Sequence, residues 1–229
     1  MKKTAILQSN YIPWKGYFDI INSVDDFVIY DDVQYTKRDW RNRNKIKTSM
    51  GSRWLTIPVI HERQGQKIIE TKVVEKVWRK KHWSTLKLFY GKSKFFRVYK
   101  DMFEDIYLND SEIFLSKINY KFIVAINGIL GIKTCLHWSS DFDSVEGKSG
   151  RLLNICKELS STTYLSGPAA KDYLDESLFE SEGVSVEWMD YSSYPKYEQL
   201  NPPFEHGVTI LDLIFNEGTN APKYMKSFK

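Results

Sequence analysis

The chain has 229 residues, 42% of them hydrophobic, and carries a formal net charge of +4 at neutral pH. That length can bury a core without disulfides, and Cys135 and Cys156 lack the paired CxxC spacing of a zinc or redox site. No run approaches the roughly eighteen apolar residues of a membrane span, and Lys2 and Lys3 precede only a short apolar stretch. The expectation is a soluble, cytoplasmic protein with no membrane insertion and with both cysteines reduced in the core.

Thr4 to Gln8 and Phe27 to Asp31 read as short buried strands, with a helix from Gly16 to Ser23 crossing between them. Such a βαβ unit makes the two strands parallel neighbours. Residues 34–53 read as a long polar loop with a helical turn. Trp54 to Val59 is a strand, and Lys67 to Val74 is expected to pair with it. From Trp78 to Ile132 the apolar residues recur at helical spacing, broken at Gly91, Asn109–Asp110 and Gly131. Strand and helix then alternate: a strand at Thr134–Trp138, a helix at Ser149–Leu159, a strand at Thr163–Ser166, a short helix near Lys171 and a strand at Val184–Met189. Residues 191–207 contain Pro195, Pro202 and Pro203 and should be irregular, and a last helix runs from Thr209 to Phe215. The fold class is α/β, a Rossmann-like, mostly parallel sheet in which residues 1–75 and 133–229 form the core and 76–132 a helical insert. Ligands of such sheets bind beyond the carboxyl ends of the strands, which selects the segments after Gln8, Asp31, Trp138 and Ser166.

Four of these segments have side chains suited to chemistry. In SNYIPWKGYF a turn opens a helix N-terminus, which favours an anion, while Tyr11, Trp14 and Tyr17 are rings for a base or sugar; the same residues also serve as turn punctuation and core. DDVQY places Asp31, Asp32 and the Gln34 amide at a strand end, where adjacent side chains point to opposite faces. One aspartate is then a candidate proton acceptor or metal ligand and the other a loop holder. KRDWRNRNKIK concentrates Arg38, Arg41 and Arg43 around Trp40, and guanidinium groups grip phosphate bidentately. YLSGPAAKDYL offers Ser166, Gly167 and Lys171 at a strand end. Downstream, Tyr197 and His206 lie in a loop long enough to cover a cleft, His206 being a candidate general base. A second basic block, Lys76 to Lys100, has no acidic residue and suits RNA phosphates or a solvated helical face. HExxH, Walker A, GxGxxG and GxSxG patterns do not occur.

With LQSNYIPWKGYFDII, FVIYDDVQYTKRDWRNRNKIK, WLTIPV, YLSGPAAKDYL and ILDLIFNEG in this order, the chain resembles the WbqC-like protein family. The resemblance spans nearly the whole chain. It implies work on a nucleotide-activated sugar in O-antigen and other surface-polysaccharide assembly, with aminoacyl or glycyl transfer onto an amino sugar as the expected reaction. The activated donor would be an aminoacyl-tRNA or another acyl carrier, and an aminoacyl-tRNA would give the basic helices a purpose. A second likeness is to the HxGH unit of nucleotidylyl transferases and class I aminoacyl-tRNA synthetases, with Trp14 and Tyr17 where that motif has histidines. Three readings therefore stand at this stage: aminoacyl transfer with Asp32 or His206 as base, nucleotidyl transfer needing a metal at Asp31 or Asp32, and a non-catalytic nucleotide-sugar or RNA-binding module.

Overall fold

Alternation along the buried strands sends neighbouring residues to two different cores. In a computed structural model that describes residues 1–74 and 77–228, β1 (Lys3–Leu7) and β2 (Asp26–Ile29) are parallel neighbours joined by α1 (Lys15–Asn22). Ala5, Phe27 and Ile29 enter one hydrophobic cluster, whereas Ile6 and Val28 enter another. A sheet with both faces covered is what apolar runs without polar alternation require. Helix α1 has seven of its eight residues buried, so its interior-facing Phe18, Ile20 and Ile21 are wrapped on all sides.

The sheet is completed by β7 (Cys135–Trp138), β8 (Thr163–Ser166) and β9 (Ser185–Trp188), all parallel, in the spatial order β7-β2-β1-β8-β9. Counting only these five strands, that order is 3-2-1-4-5, the Rossmann-like arrangement, with its direction reversing between β1 and β8. Helices α2 (Val77–Tyr90), α3 (Phe96–Leu108), α4 (Leu115–Leu130) and α7 (Ile210–Glu217) join α1 in the hydrophobic cluster on one side of the sheet. Helices α5 (Lys148–Glu158) and α6 (Glu176–Ser181) cover the other. The helical segment thus shares one continuous core with the sheet, with Trp83, Phe103, Tyr107 and Phe122 in the same cluster as Phe27. Its expected start at 75/76 lies outside the described residues.

Three expectations are corrected. Residues 34–53 are not a continuous loop: β3 (Arg43–Thr48) and β4 (Gly51–Thr56) form an antiparallel hairpin. The hairpin escaped the hydrophobic pattern because its inward positions include polar Asn44, which is buried by donating to the Tyr11 and Ile12 carbonyls at 3.1 and 2.8 Å. Trp54 therefore pairs with Lys45, and only β5 (Val59–Ile60) pairs with β6 (Lys72–Val73). Cys156 is buried, but Cys135 is exposed on the edge strand rather than in the core; both are free thiols. Among the described residues no helix is long and apolar enough to cross a membrane.

Candidate functional site

At the reversal point between β1 and β8 lies a cavity of about 570 Å³, outside the carboxyl ends of the strands. Its floor is Leu7, Gln8 and Tyr164, and one wall comes from Asn10, Val33, Gln34 and Arg41. The opposite wall is Lys148 and Leu152 of α5 with Ser166 at the end of β8 and Gly167, Ala170 and Tyr173 after it, while Tyr30 closes the side. A mainly apolar lining with a few convergent polar groups is the usual makeup of a small-molecule site.

The first wall is tied together by Asp31. This buried carboxylate accepts from the Ser9 backbone N–H at 2.7 Å, the Ser9 hydroxyl at 2.6 Å and the Ser116 hydroxyl of α4. Burial raises its pKa, and these hydrogen bonds, with the nearby Arg41 charge, oppose the rise. Asn119 bridges the Ser9 hydroxyl and the Arg41 carbonyl, each at 2.9 Å. Arg41 in turn donates to the Asn10 side-chain oxygen at 2.6 Å and faces Asp39 at 3.6 Å, while its buried Nε has no partner. Asp31 thus holds the turn carrying Asn10, to which Arg41 bonds.

Asp32, beyond the end of β2 at Ile29, bonds towards the opposite side from Asp31. It accepts from Ser139 and from Arg151 of α5, and Arg151 lies 5.1 Å from the Tyr30 ring centre. Asp32 therefore anchors α5 beside the cavity. Lys148, one helical turn before Leu152, is exposed and stands 5.8 Å from the Tyr173 ring. Ser166 and Gly167 do line the cavity, whereas exposed Lys171 lies over Trp188 at 5.3 Å, outside it.

Of the three expected guanidinium groups, Arg41 alone reaches this cavity. Arg38 is exposed with a φ of 59°, and Arg43 donates to the Arg38 carbonyl while packing 4.3 Å from Trp54. Tyr11 and Tyr17 are buried and cannot stack on a ligand: Tyr11 bonds His82 at 2.9 Å and Tyr107 at 2.5 Å, and the Tyr17 hydroxyl donates to the Gln8 carbonyl at 3.2 Å. Tyr197 is likewise buried, donating to Asp212 at 2.7 Å. In the basic helices, Arg79 is buried against the Ile106 and Glu112 carbonyls, and buried His82 has its pKa pushed down to about 4 by desolvation. Both are engaged inside the fold.

Trp14 and Gly16 explain each other. A Cβ on Gly16 would overlap the six-membered ring of the Trp14 indole, which folds back over the helix start against Tyr191 and Tyr194. The missing side chain makes room for the ring, and Trp14 then walls a second cavity of about 290 Å³ with Pro13, Trp40, Asn44 and Gly207. Asn10 lines both cavities. His206, next to Gly207, packs edge-on to Phe204 at 4.5 Å and has a buried Nδ1 without a partner. Partial desolvation and the nearby Lys15 and Lys196 charges lower its pKa.

Asn10, Tyr30, Lys148, Arg151 and Tyr173 were not anticipated as site residues. The signal was their placement, Asn10 and Tyr173 after the expected β1 and β8 strands, Tyr30 at the end of the expected β2 strand and Lys148 and Arg151 at the start of the α5 helix, because the carboxyl-end rule selects positions rather than residue types. Among the described residues, no group of three or more His, Cys, Asp or Glu is placed to hold a metal ion.

The WbqC-like protein family model matches residues 8–224 of the chain. The uncharacterized protein Rv1507c of Mycobacterium tuberculosis (strain ATCC 25618 / H37Rv) is 48% identical over 227 residues, covering 99% of this chain and 98% of the relative. No solved structure matches.

Proposed function

The chain belongs to the WbqC-like protein family, and from that premise we propose that it is a transferase that modifies a nucleotide-linked amino sugar for surface-polysaccharide assembly by moving an aminoacyl, in the simplest case glycyl, group onto the sugar amine. The observation that carries this reading is the cavity at the β1/β8 reversal, with the Arg41 and Lys148 cations on opposite walls and the Tyr30 and Tyr173 rings beside them. A diphosphate needs cationic donors, and a base or hexose needs flat apolar faces. In this reading the diphosphate lies between Arg41 and Lys148, the base rests on Tyr30 or Tyr173, and the sugar is directed towards Asn10.

The sugar amine nitrogen attacks the carbonyl carbon of the activated acyl ester. An N–C bond forms, the ester C–O bond breaks, and the proton lost by the amine passes through a base to the departing oxygen. Asp31 and Asp32 are engaged by serine hydroxyls and Arg151, so His206, half-buried and next to Gly207 of the smaller cavity, is the favoured acceptor. Its lowered pKa keeps the imidazole neutral at pH 7. The His206 contribution to kcat/KM should therefore persist below pH 6.5 and fall only as pH drops through the lowered value; His206→Gln should abolish that acid limb, and a limb unchanged in the variant rejects the role.

Incubation with a panel of dTDP- and UDP-amino sugars, with and without charged tRNA, tests the reaction by mass spectrometry. A mass gain equal to one aminoacyl residue on one of the sugars is expected. Binding of the sugar nucleotides with no mass gain from any donor would favour a binding module instead.

A further inference from the structure

The outer face of the β3–β4 hairpin carries a second group of side chains that the large cavity does not use. Strand pairing puts Lys45 directly opposite Trp54, with Arg43 on the same face two residues away. The Arg43 guanidinium and the Lys45 ammonium lie 4.3 and 5.4 Å from the Trp54 ring, and Trp40 stands beside Trp54 with ring centres 5.2 Å apart. Both indoles stay open to solvent, at 41% exposure for Trp40 and 39% for Trp54. From Trp40 to His61 the sequence has five Arg or Lys residues and no Asp or Glu. Among the described residues, the one ion pair of this stretch is Arg41 with Asp39, which leaves Arg43, Lys45 and Arg53 without a carboxylate.

Paired exposed rings bordered by unneutralised cations match the chemistry of a nucleic-acid single strand, whose bases offer stacking faces and whose phosphates offer charge. A duplex hides its base faces, a neutral glycan has no use for the cations, and a simple polyanion has none for the indoles. The platform also leads somewhere: Trp40 is a wall of the 290 Å³ cavity beneath Trp14, and Asn10 joins that cavity to the larger one.

We propose that the Trp40–Trp54 face of the hairpin binds the single-stranded end of an RNA, with bases stacked on the two indoles, phosphates on Arg43 and Lys45, and the terminal nucleoside directed into the cavity beneath Trp14 and Trp40. The stacking site stands on the hairpin alone. That the inward end is the 3′ end rests on the acyl-transfer reading, because the ester to be cleaved would sit on the terminal ribose. The donor then approaches from the hairpin and the sugar from the β1/β8 cavity, meeting at Asn10.

The test is fluorescence anisotropy of a short 5′-fluorescein RNA ending in CCA with the full chain, read together with tryptophan emission. Saturable binding is expected, with quenching of the indoles and a loss of affinity as salt rises from about 50 to 200 mM. Trp54→Ala and Lys45→Ala, both at solvent-facing positions, should each weaken it, the indole variant by about tenfold or more. A fully paired RNA of the same sequence should bind at least about tenfold more weakly. Equal binding of the duplex, binding without indole quenching, or unchanged affinity in Trp54→Ala overturns the proposal. Sugar-nucleotide binding measured on the same preparations separates the two readings: sugar binding without RNA binding overturns this inference and leaves the sugar site standing, and RNA binding without sugar binding does the reverse.

Discussion

The two walls of the large cavity differ in where their polar groups direct their hydrogen bonds. On the β1/β2 side, Asp31, Ser9, Ser116, Asn119, Asn10 and Arg41 bond one another in a chain that runs from α4 to the cavity surface. On the α5/β8 side, Lys148 and Tyr173 are exposed and lie against each other, and α5 is anchored through Arg151 to Asp32. The first wall is preorganised, because moving Arg41 breaks a buried network. The second is adaptable, because Lys148 loses little on moving.

Removing the centre of the rigid wall should have the largest effect. Asp31→Ala strands the Ser9 and Ser116 donors in the interior, and a loss of roughly 3 to 4 kcal/mol in chemical-denaturation stability is expected; a loss below about 1 kcal/mol would mean that the wall is not held as described. Gly16→Ala tests the corner where that wall begins. The new methyl must displace the Trp14 ring, and overpacking of about 1 to 3 kcal/mol outweighs the gain of roughly 1 kcal/mol in helix propensity. A stabilised variant would show that Trp14 moves freely. Arg41→Ala should weaken nucleotide-sugar affinity by about 1.5 to 3 kcal/mol, the range for hydrogen bonds to charged groups, as calorimetry would read; unaltered affinity removes the phosphate assignment. Lys148→Ala, on the adaptable wall, should cost less than about 1 kcal/mol of affinity. If Lys148 proves the stronger of the two, the contrast between the walls is reversed.

Much of the fold was legible because its strands are buried on both faces and so read as short apolar runs: β1, β2, β7, β8 and β9 fall within a residue or two of their expected positions. The helices between Trp78 and Ile132 were legible from spacing and from Gly91 and Gly131 as breaks. The β3–β4 hairpin was not, because its alternation is one of charge against amide and aliphatic groups, and Asn44 is buried by bonds to carbonyls distant in sequence. In the site, Arg41, Gln34, Ser166 and Gly167 were anticipated and do line the cavity. Tyr11, Tyr17 and Tyr197 were not separable from ligand-facing rings by sequence, since an aromatic beside a polar turn looks the same whether its hydroxyl meets Tyr107, Gln8 or Asp212, or a substrate.

By itself the sequence determined the α/β class, the strand positions and the carboxyl-end segments that border the large cavity, because hydrophobic period and turn residues act over a few neighbouring positions. Only the tertiary structure decided which guanidinium faces the cavity, which aspartate is buried and which indoles remain open. Those outcomes depend on contacts between residues far apart in the chain, such as Asp31 with Ser116 and Asp32 with Arg151, and on how much water each pair excludes.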